Sequence, residues 1–332
     1  MTTPRTDVTS IGNAIVDIIG RCDDAFLGEI GALKGAMNLV GADDIKRIYD
    51  RMGPAIEISG GSAANTVAGV ASFGGKAGFM GKIADDDFGR IFTHDIRSIG
   101  VLFSADPVAN TEPTSRSLIL VTPDGERTMN TYLGISTSLD STQLDLELIR
   151  DSAILYLEGY LFDREGAKSA FRDAVAVART AGRTVALSLS DAFCVDRHRS
   201  EFLELIRSGI GILFANESEI TSLYQTTSFD AAADCARADT KLAVLTRSAK
   251  GSVILANGTS TSIAAEPIAR VVDTTGAGDL YAAGFLFGYS RNYSLDVCGR
   301  LASLAAAEII SHIGARPETS LAVLAASKGL IS

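Results

Sequence analysis

The feature that most constrains this chain is the regular exchange, in its second half, of short apolar segments with amphipathic ones. "AILYLEGYLF" (153–162) reads as a strand, and an amphipathic helix follows within 165–180. "TVALSLS" (184–190) is the next strand, then come helical "RHRSEFLELIRS" and the strand "GILFAN" (211–216). After more helix stand "LAVLTRS" (242–248) and "SVILAN" (252–257). Strands apolar on both faces with helices between them predict an α/β fold with a mostly parallel sheet covered on both sides. The length, 332 residues, suits one large α/β body or two ordinary domains. With 46% hydrophobic and 21% charged residues a large core is available.

The N-terminal third departs from this rhythm. "TSRSLILVTPDGERTMNTYLG" (114–134) is two strands around a Pro-Asp-Gly turn, a hairpin that an α/β body seldom needs. Its second arm alternates, with Arg127, Met129, Thr131 and Leu133 on one side and Thr128, Asn130 and Tyr132 on the other. Together with "NAIVDII" (13–19) and "AMNLV" (36–40) it predicts a small β-sheet over one edge of the body, a lid. The expected division is a discontinuous core of 1–12, 58–101 and 138–332, with a lid from part of 13–57 and from 102–137. No repeat or long linker is visible.

The formal charge of −10, with no basic block, argues against a nucleic-acid partner but leaves an anionic small ligand open. Cys22, Cys194, Cys235 and Cys298 are far apart, so neither a zinc site nor a disulfide framework is signalled. "MTTPRTDVTS" leads straight into a strand-like segment, and no apolar stretch approaches membrane-spanning length. The expectation is a cytoplasmic protein with no membrane partner.

Four glycine- or polar-rich segments fall at strand ends, where ligands gather in doubly wound sheets. "EISGGSAANTVAGVASFGG" (57–75) sets Gly60-Gly61-Ser62 between a strand and a helix and puts Asn65 in the first turn. It reads as a close ligand approach or as a tight capped turn. It is neither a G-x-x-x-x-G-K-[ST] nor a G-x-G-x-x-G loop. "DTTGAGDLYAAGFLFGY" (273–289) points the amides of Gly276, Ala277, Gly278 and Asp279 out of a helix N-terminus, an anion site by dipole and free donors. A carboxylate on that turn could take a proton from an attacking hydroxyl, or Asp279 could be a first-turn acid. "FANESEI" (214–220) offers Asn216, Glu217 and Glu219 as a Mg²⁺ carboxylate held through water, or as an acidic cap. "LTRSAKGSV" (245–253) adds Thr246, Arg247 and Gly251, suited to phosphate.

Taken together, "DTTGAGD", "GGSAANTVAGVASFGGKAGFMGKIADDDFG" (60–89) and "NESE" (216–219) resemble the signatures of the ribokinase-like, PfkB-type carbohydrate and nucleoside kinases. The likeness runs over essentially the whole chain. It implies an α/β core with a β lid, ATP as donor, Mg²⁺, and in many members activation by K⁺. Within that family "IGNAIVDII", "LKGAMNLV", "GERTMNTYLG", "EGYLFD" and "LSLSDAF" are most similar to adenosine kinases. The resemblance implies Asp279 as general base, with Gly276, Ala277 and Gly278 as the anion hole. It implies Asp17 on the ribose 2′- and 3′-hydroxyls, with Asn13, Gly61, Ser62 and Asn65 beside it, and Ile15, Met37, Met129, Thr131 and Phe162 as an apolar slot for the base. Asn216, Glu219, Thr246, Arg247 and Gly251 fall on the Mg-phosphate side. Asp273 and Thr275 would hold a monovalent cation, Arg127 could meet phosphate on closure, and His312 lies near the donor nucleotide. Arg247-Ser248 departs from a usual glycine. The acceptor is expected to be a nucleoside, adenosine first, with a sugar kinase (ribose, fructose or a keto-deoxy sugar acid) as the alternative, and the assembly a monomer or homodimer.

Overall fold

The chain was described from a computed structural model covering residues 4–331. Thirteen strands run through the described residues: β1 (Thr6–Ile11), β2 (Ile15–Arg21), β3 (Met37–Leu39), β4 (Ala55–Gly60), β5 (Ala77–Met80), β6 (Ser115–Val121), β7 (Arg127–Tyr132), β8 (Ser152–Glu158), β9 (Thr184–Ser188), β10 (Ile212–Asn216), β11 (Leu242–Thr246), β12 (Ser252–Ala256) and β13 (Thr259–Ile263). They form two sheets, one of eight strands in the order β13-β12-β11-β10-β9-β8-β1-β5 and one of five in the order β3-β7-β6-β2-β4.

The large sheet is parallel from β5 across to β11. β12 and β13 are antiparallel additions at the edge. Only a short 3-10 turn, Ser248–Lys250, lies between β11 and β12, too few residues for a crossover helix. Its central strands are apolar on both faces because helices cover both. One face packs with the helices Ser62–Ser72, Ala277–Ser290 and Leu295–Ile309 around Val8, Tyr156 and Phe214. The other packs with the helices Glu165–Thr180, Ala192–Gly209 and Phe229–Asp239 around Leu155, Leu187 and Leu213. No helix among the described residues is long and apolar enough to cross a membrane.

The small sheet stands over the carboxyl ends of the parallel strands. Its registers pair Asp17 with Ser117 and Ile58, Ser117 with Thr131, and Met129 with Ile119 and Met37. Directly paired residues share a face. One face therefore carries Ile15, Asp17, Ile19, Ser117, Thr131, Met129, Met37 and Arg127, and the other packs Val16, Ile18, Leu118 and Leu120 into the core. β4 carries this sheet on to Gly60, past position 57.

One strand is shorter than its sequence implied. β8 stops at Glu158 and the chain turns into a 3-10 helix, Gly159–Asp163. At Gly159 a Cβ would stand 2.7 Å from the Ser188 carbonyl oxygen and 2.8 Å from that of Leu189. Only glycine fits so close to the next strand end, and with the turn that follows the side-chain phase beyond Glu158 is lost.

Candidate active site

The helix Ala277–Ser290 is anchored by a wholly buried run in which Leu280, Ala283, Phe285 and Leu286 are all 0% exposed. It opens at Gly276, whose φ of 78° is left-handed and whose Cβ would touch Ala315 at 3.0 Å. The Ala277 N–H turns back on the Thr274 carbonyl at 3.2 Å. The amides of Gly276, Gly278 and Asp279 meet no acceptor among the described residues, and a Cβ on Gly278 would meet open space. Of the four amides expected to be free, three are, and that of Ala277 closes the turn instead.

Asp279, on the first turn, accepts from Ser62 Oγ at 2.6 Å and from Asn65 Nδ2 at 3.0 Å. Both partners ride on the helix Ser62–Ser72, which packs on the Asp279 helix where a Cβ at Gly69 would reach Ala283 and Leu280 at 2.6 Å. Burial raises the Asp279 carboxyl above the ordinary range, and the Ser62 and Asn65 hydrogen bonds pull it back. A carboxylate only accepts, so the Asn65 amide must present its NH₂ there. That leaves Asn65 Oδ1 buried with no partner among the described residues, an acceptor open to a donor such as a hydroxyl.

Asp17 accepts no hydrogen bond among the described residues and is pushed up to about 6 by burial, against the lowering fields of Arg316 and Arg127 and the raising field of Asp279. Its carboxylate lies over Gly60, where a Cβ would come within 2.2 Å of Oδ2. Gly61, at φ 94°, is required by the backbone, because a Cβ would lie 2.3 Å from the Asn13 carbonyl oxygen.

Other expected acceptor residues divide. Ile15, Met129 and Thr131 lie on the same lid face as Asp17, Thr131 bonded to Ser117 at 2.8 Å. Met37 shares that face but sits on the outermost strand, 52% exposed. Asn13 is spent internally: its Nδ2 donates to Glu158 at 2.7 Å and its Oδ1 accepts from Ser136 at 2.9 Å, so it holds lid to core instead of facing a ligand. Phe162 does not line the slot. It is buried in the opposite layer, stacked on Phe202 at 4.1 Å and edge-on to Phe171, because the 3-10 turn after Glu158 redirects it. Tyr160 faces the lid in its stead, lining with Leu39, Thr131 and Leu133 a cavity of about 370 Å³.

On the phosphate side, Asn216 and Glu219 form a reciprocal capping box, the Glu219 carboxylate accepting the Asn216 N–H at 2.9 Å and its Nδ2 at 2.6 Å. Burial pushes Glu219 up to about 7, with Asp191 and Asp279 adding like charge. Among the described residues no group of three His, Cys, Asp or Glu could cage a metal. A buried carboxylate short of positive charge fits a hydrated Mg²⁺ brought in on phosphates, held through water. Thr246 ends β11 beside Asn216. Arg247 is engaged elsewhere, forked onto Glu217 at 3.1 and 3.2 Å and laid 3.9 Å over the Phe229 ring. Gly251 serves packing, since a Cβ would come within 2.0 Å of the Ile263 carbonyl oxygen. His312 lies 3.2 Å from the Glu308 carboxylate, one turn back on the chain.

Arg127 and Asp273 form a buried ion pair, their side chains 7% and 5% exposed. Asp273 also accepts from the N–H groups of Thr275 and Gly314, each at 3.0 Å. This donor-ringed carboxylate does not fit the monovalent cation expected at Asp273 and Thr275.

Two site residues were not singled out from sequence. Glu158, 1% exposed, accepts from Asn13 and from the Ala63 N–H at 2.8 Å, and burial pushes it up to about 7. Arg316 donates to the Ser59 and Ala64 carbonyls at 2.9 and 2.7 Å, tying the Gly60-Gly61 junction together, and burial lowers it to about 10. The lone carboxylate of Glu158 within the apolar stretch 153–162 was the available signal for it. Arg316 lies in an irregular segment that offered none.

The profile of the pfkB family carbohydrate kinases matches residues 56–321. The crystal structure of a probable sugar kinase protein from Rhizobium etli CFN 42 is 50% identical, with a TM-score of 0.92, over 99% of this chain and 100% of that one. That of adenosine kinase from Sinorhizobium meliloti is 53% identical, with a TM-score of 0.90, over 98% and 99%. An uncharacterized sugar kinase of Archaeoglobus fulgidus is 26% identical over 75% of this chain and 96% of its own.

Proposed function

We propose, since the chain belongs to the pfkB family of carbohydrate kinases, that it transfers the γ-phosphoryl group of ATP to the 5′-hydroxyl of a nucleoside, adenosine first. The observation that carries the reading is the Asp279–Asn65 pair beside three unpartnered amides. A hydroxyl between them would donate to Asn65 Oδ1 or to Asp279, and its oxygen would face the anion hole.

In the reaction Asp279 takes the hydroxyl proton as the oxygen–phosphorus bond forms and the bond from γ-phosphorus to the β-phosphate oxygen breaks, releasing ADP. A carboxyl lifted by burial is a better base than a solvated one. The amides of Gly276, Gly278 and Asp279 hold the charge on the transferring group without reorganising. Asp17, with no hydrogen-bond partner among the described residues, is suited to accept from both hydroxyls of a cis-diol, which would fix the acceptor against the lid. Ile15 and Met129, on the same face, supply apolar surface for a base. Mg²⁺ bound with the phosphates would neutralise charge, with Glu219 holding it through water.

The similarity to the Sinorhizobium meliloti adenosine kinase favours adenosine. The comparable likeness to the Rhizobium etli probable sugar kinase, 50% identical against 53%, favours a sugar acceptor as the second reading. ADP release across a panel of nucleosides and sugars decides. Saturation by micromolar adenosine with sugars inactive at millimolar levels is expected, and preference for a sugar overturns the nucleoside reading.

A further inference from the structure

We propose that in this chain the lid residue Arg127 takes the place of a monovalent cation behind the anion-hole loop, so that closing the lid delivers the charge and K⁺ is not an activator. The inference rests on the kinase reading of that loop.

A bound alkali cation needs several converging oxygens with free lone pairs. Around Asp273 the geometry is the reverse. Its Oδ1 accepts the Thr275 N–H at 3.0 Å, and its Oδ2 accepts the Gly314 N–H at 3.0 Å together with Arg127 Nη1. Two neighbouring carbonyls already accept a hydrogen bond: that of Ile310 takes the Val272 N–H at 2.8 Å, and that of Thr274 takes the Ala277 N–H at 3.2 Å. What surrounds the carboxylate is N–H groups and a guanidinium, all positive ends, in a place nearly shut from water. A second cation would meet the Arg127 charge in low dielectric.

The pair also joins two elements far apart in the chain. Arg127 begins β7 on the lid hairpin, 146 positions from Asp273. Asp273 orders the loop whose amides at Gly276, Gly278 and Asp279 face the phosphoryl position, and Thr275 is one of its donors. A charge that arrives with the lid would stiffen this loop only when an acceptor is enclosed. Arg127 is thus a positioning residue, acting through Asp273.

The experiment compares the full chain in KCl and in choline chloride at equal ionic strength, reading melting temperature and ADP release. Wild type is expected to differ less than twofold in rate and not at all in melting temperature. Arg127→Gln should lose rate in choline chloride, regain part of it in KCl, and melt higher in KCl, because a freed carboxylate now binds the ion. Arg127→Lys keeps a charge and should stay indifferent to K⁺. Severalfold activation of wild type by K⁺, or an Arg127→Gln protein whose rate and melting ignore K⁺, overturns the proposal. Should Arg127→Gln fail to fold, the wild-type comparison alone still decides. If no acceptor yields ADP, the kinase reading fails while the melting comparison still judges the cation.

Discussion

Replacing Gly60 with Ala tests the placement of Asp17. Gly60 does not adopt a positive φ, so the backbone accepts alanine without strain. The obstacle is the new methyl, which would stand 2.2, 2.4 and 2.7 Å from Oδ2, Cγ and Oδ1 of Asp17. Ordinary contact lies near 3.5 Å, so the carboxylate must retreat by roughly 1 Å. If it holds two hydroxyls of the acceptor, that shift breaks both charge-assisted hydrogen bonds, about 1.5–3 kcal/mol each. The sum, roughly 3–6 kcal/mol, corresponds to about a hundredfold to ten-thousandfold in kcat/KM, falling mainly on the acceptor KM. The assay is steady-state ADP release against acceptor concentration for Gly60→Ala, Asp17→Ala and the double variant. Once Asp17 is gone the methyl has nothing to displace, so the double variant should match Asp17→Ala. An acceptor KM within threefold of wild type in Gly60→Ala, or losses that simply add, would refute the reasoning.

Asp279→Asn should lower kcat by about a hundredfold to ten-thousandfold while calorimetric acceptor binding is retained, and near-normal turnover removes it as base. Phe162→Leu should destabilise by about 1–3 kcal/mol through the lost stack on Phe202 and leave acceptor KM unchanged; a raised KM would return it to the acceptor slot. The apoprotein should lose stability as pH rises. Asp17, Glu158 and Glu219, lifted to about 6, 7 and 7, keep protons that the unfolded chain releases from about pH 4 upward. Melting temperature should therefore fall between about pH 5 and 7, less steeply in Asp17→Asn, and an apoprotein that melts higher at the upper pH contradicts the sign.

Much of this was legible in the sequence because local rules carried it. Doubly apolar strands marked the parallel sheet, the Pro-Asp-Gly turn marked the lid hairpin, and Gly276 to Asp279 marked a helix start with free amides. What failed to show depended on partners distant in the chain. The strand reading of 153–162 ran past Glu158, where β8 ends and a 3-10 helix begins, and the slot position that the family resemblance implied for Phe162 is lost at that turn. Asn13 looked available until Glu158 and Ser136 were brought to it. Arg247 was suited to phosphate by type, yet Glu217 and Phe229 hold it. Asp273 was suited to a cation by type, yet a lid arginine reaches it first.

The bond between Ser62 and Asp279 spans 217 positions. On a ribosome adding about 5–20 residues each second, Asp279 emerges roughly 10–40 s after Ser62. Over that interval the Ser62–Ser72 helix must wait without its packing partner, since the Asp279 helix supplies the surface against which Gly69 packs. On the proposed reading, a nascent chain stopped short of Asp279 would have the lid but no base, so turnover would wait until the Asp279 helix has been made.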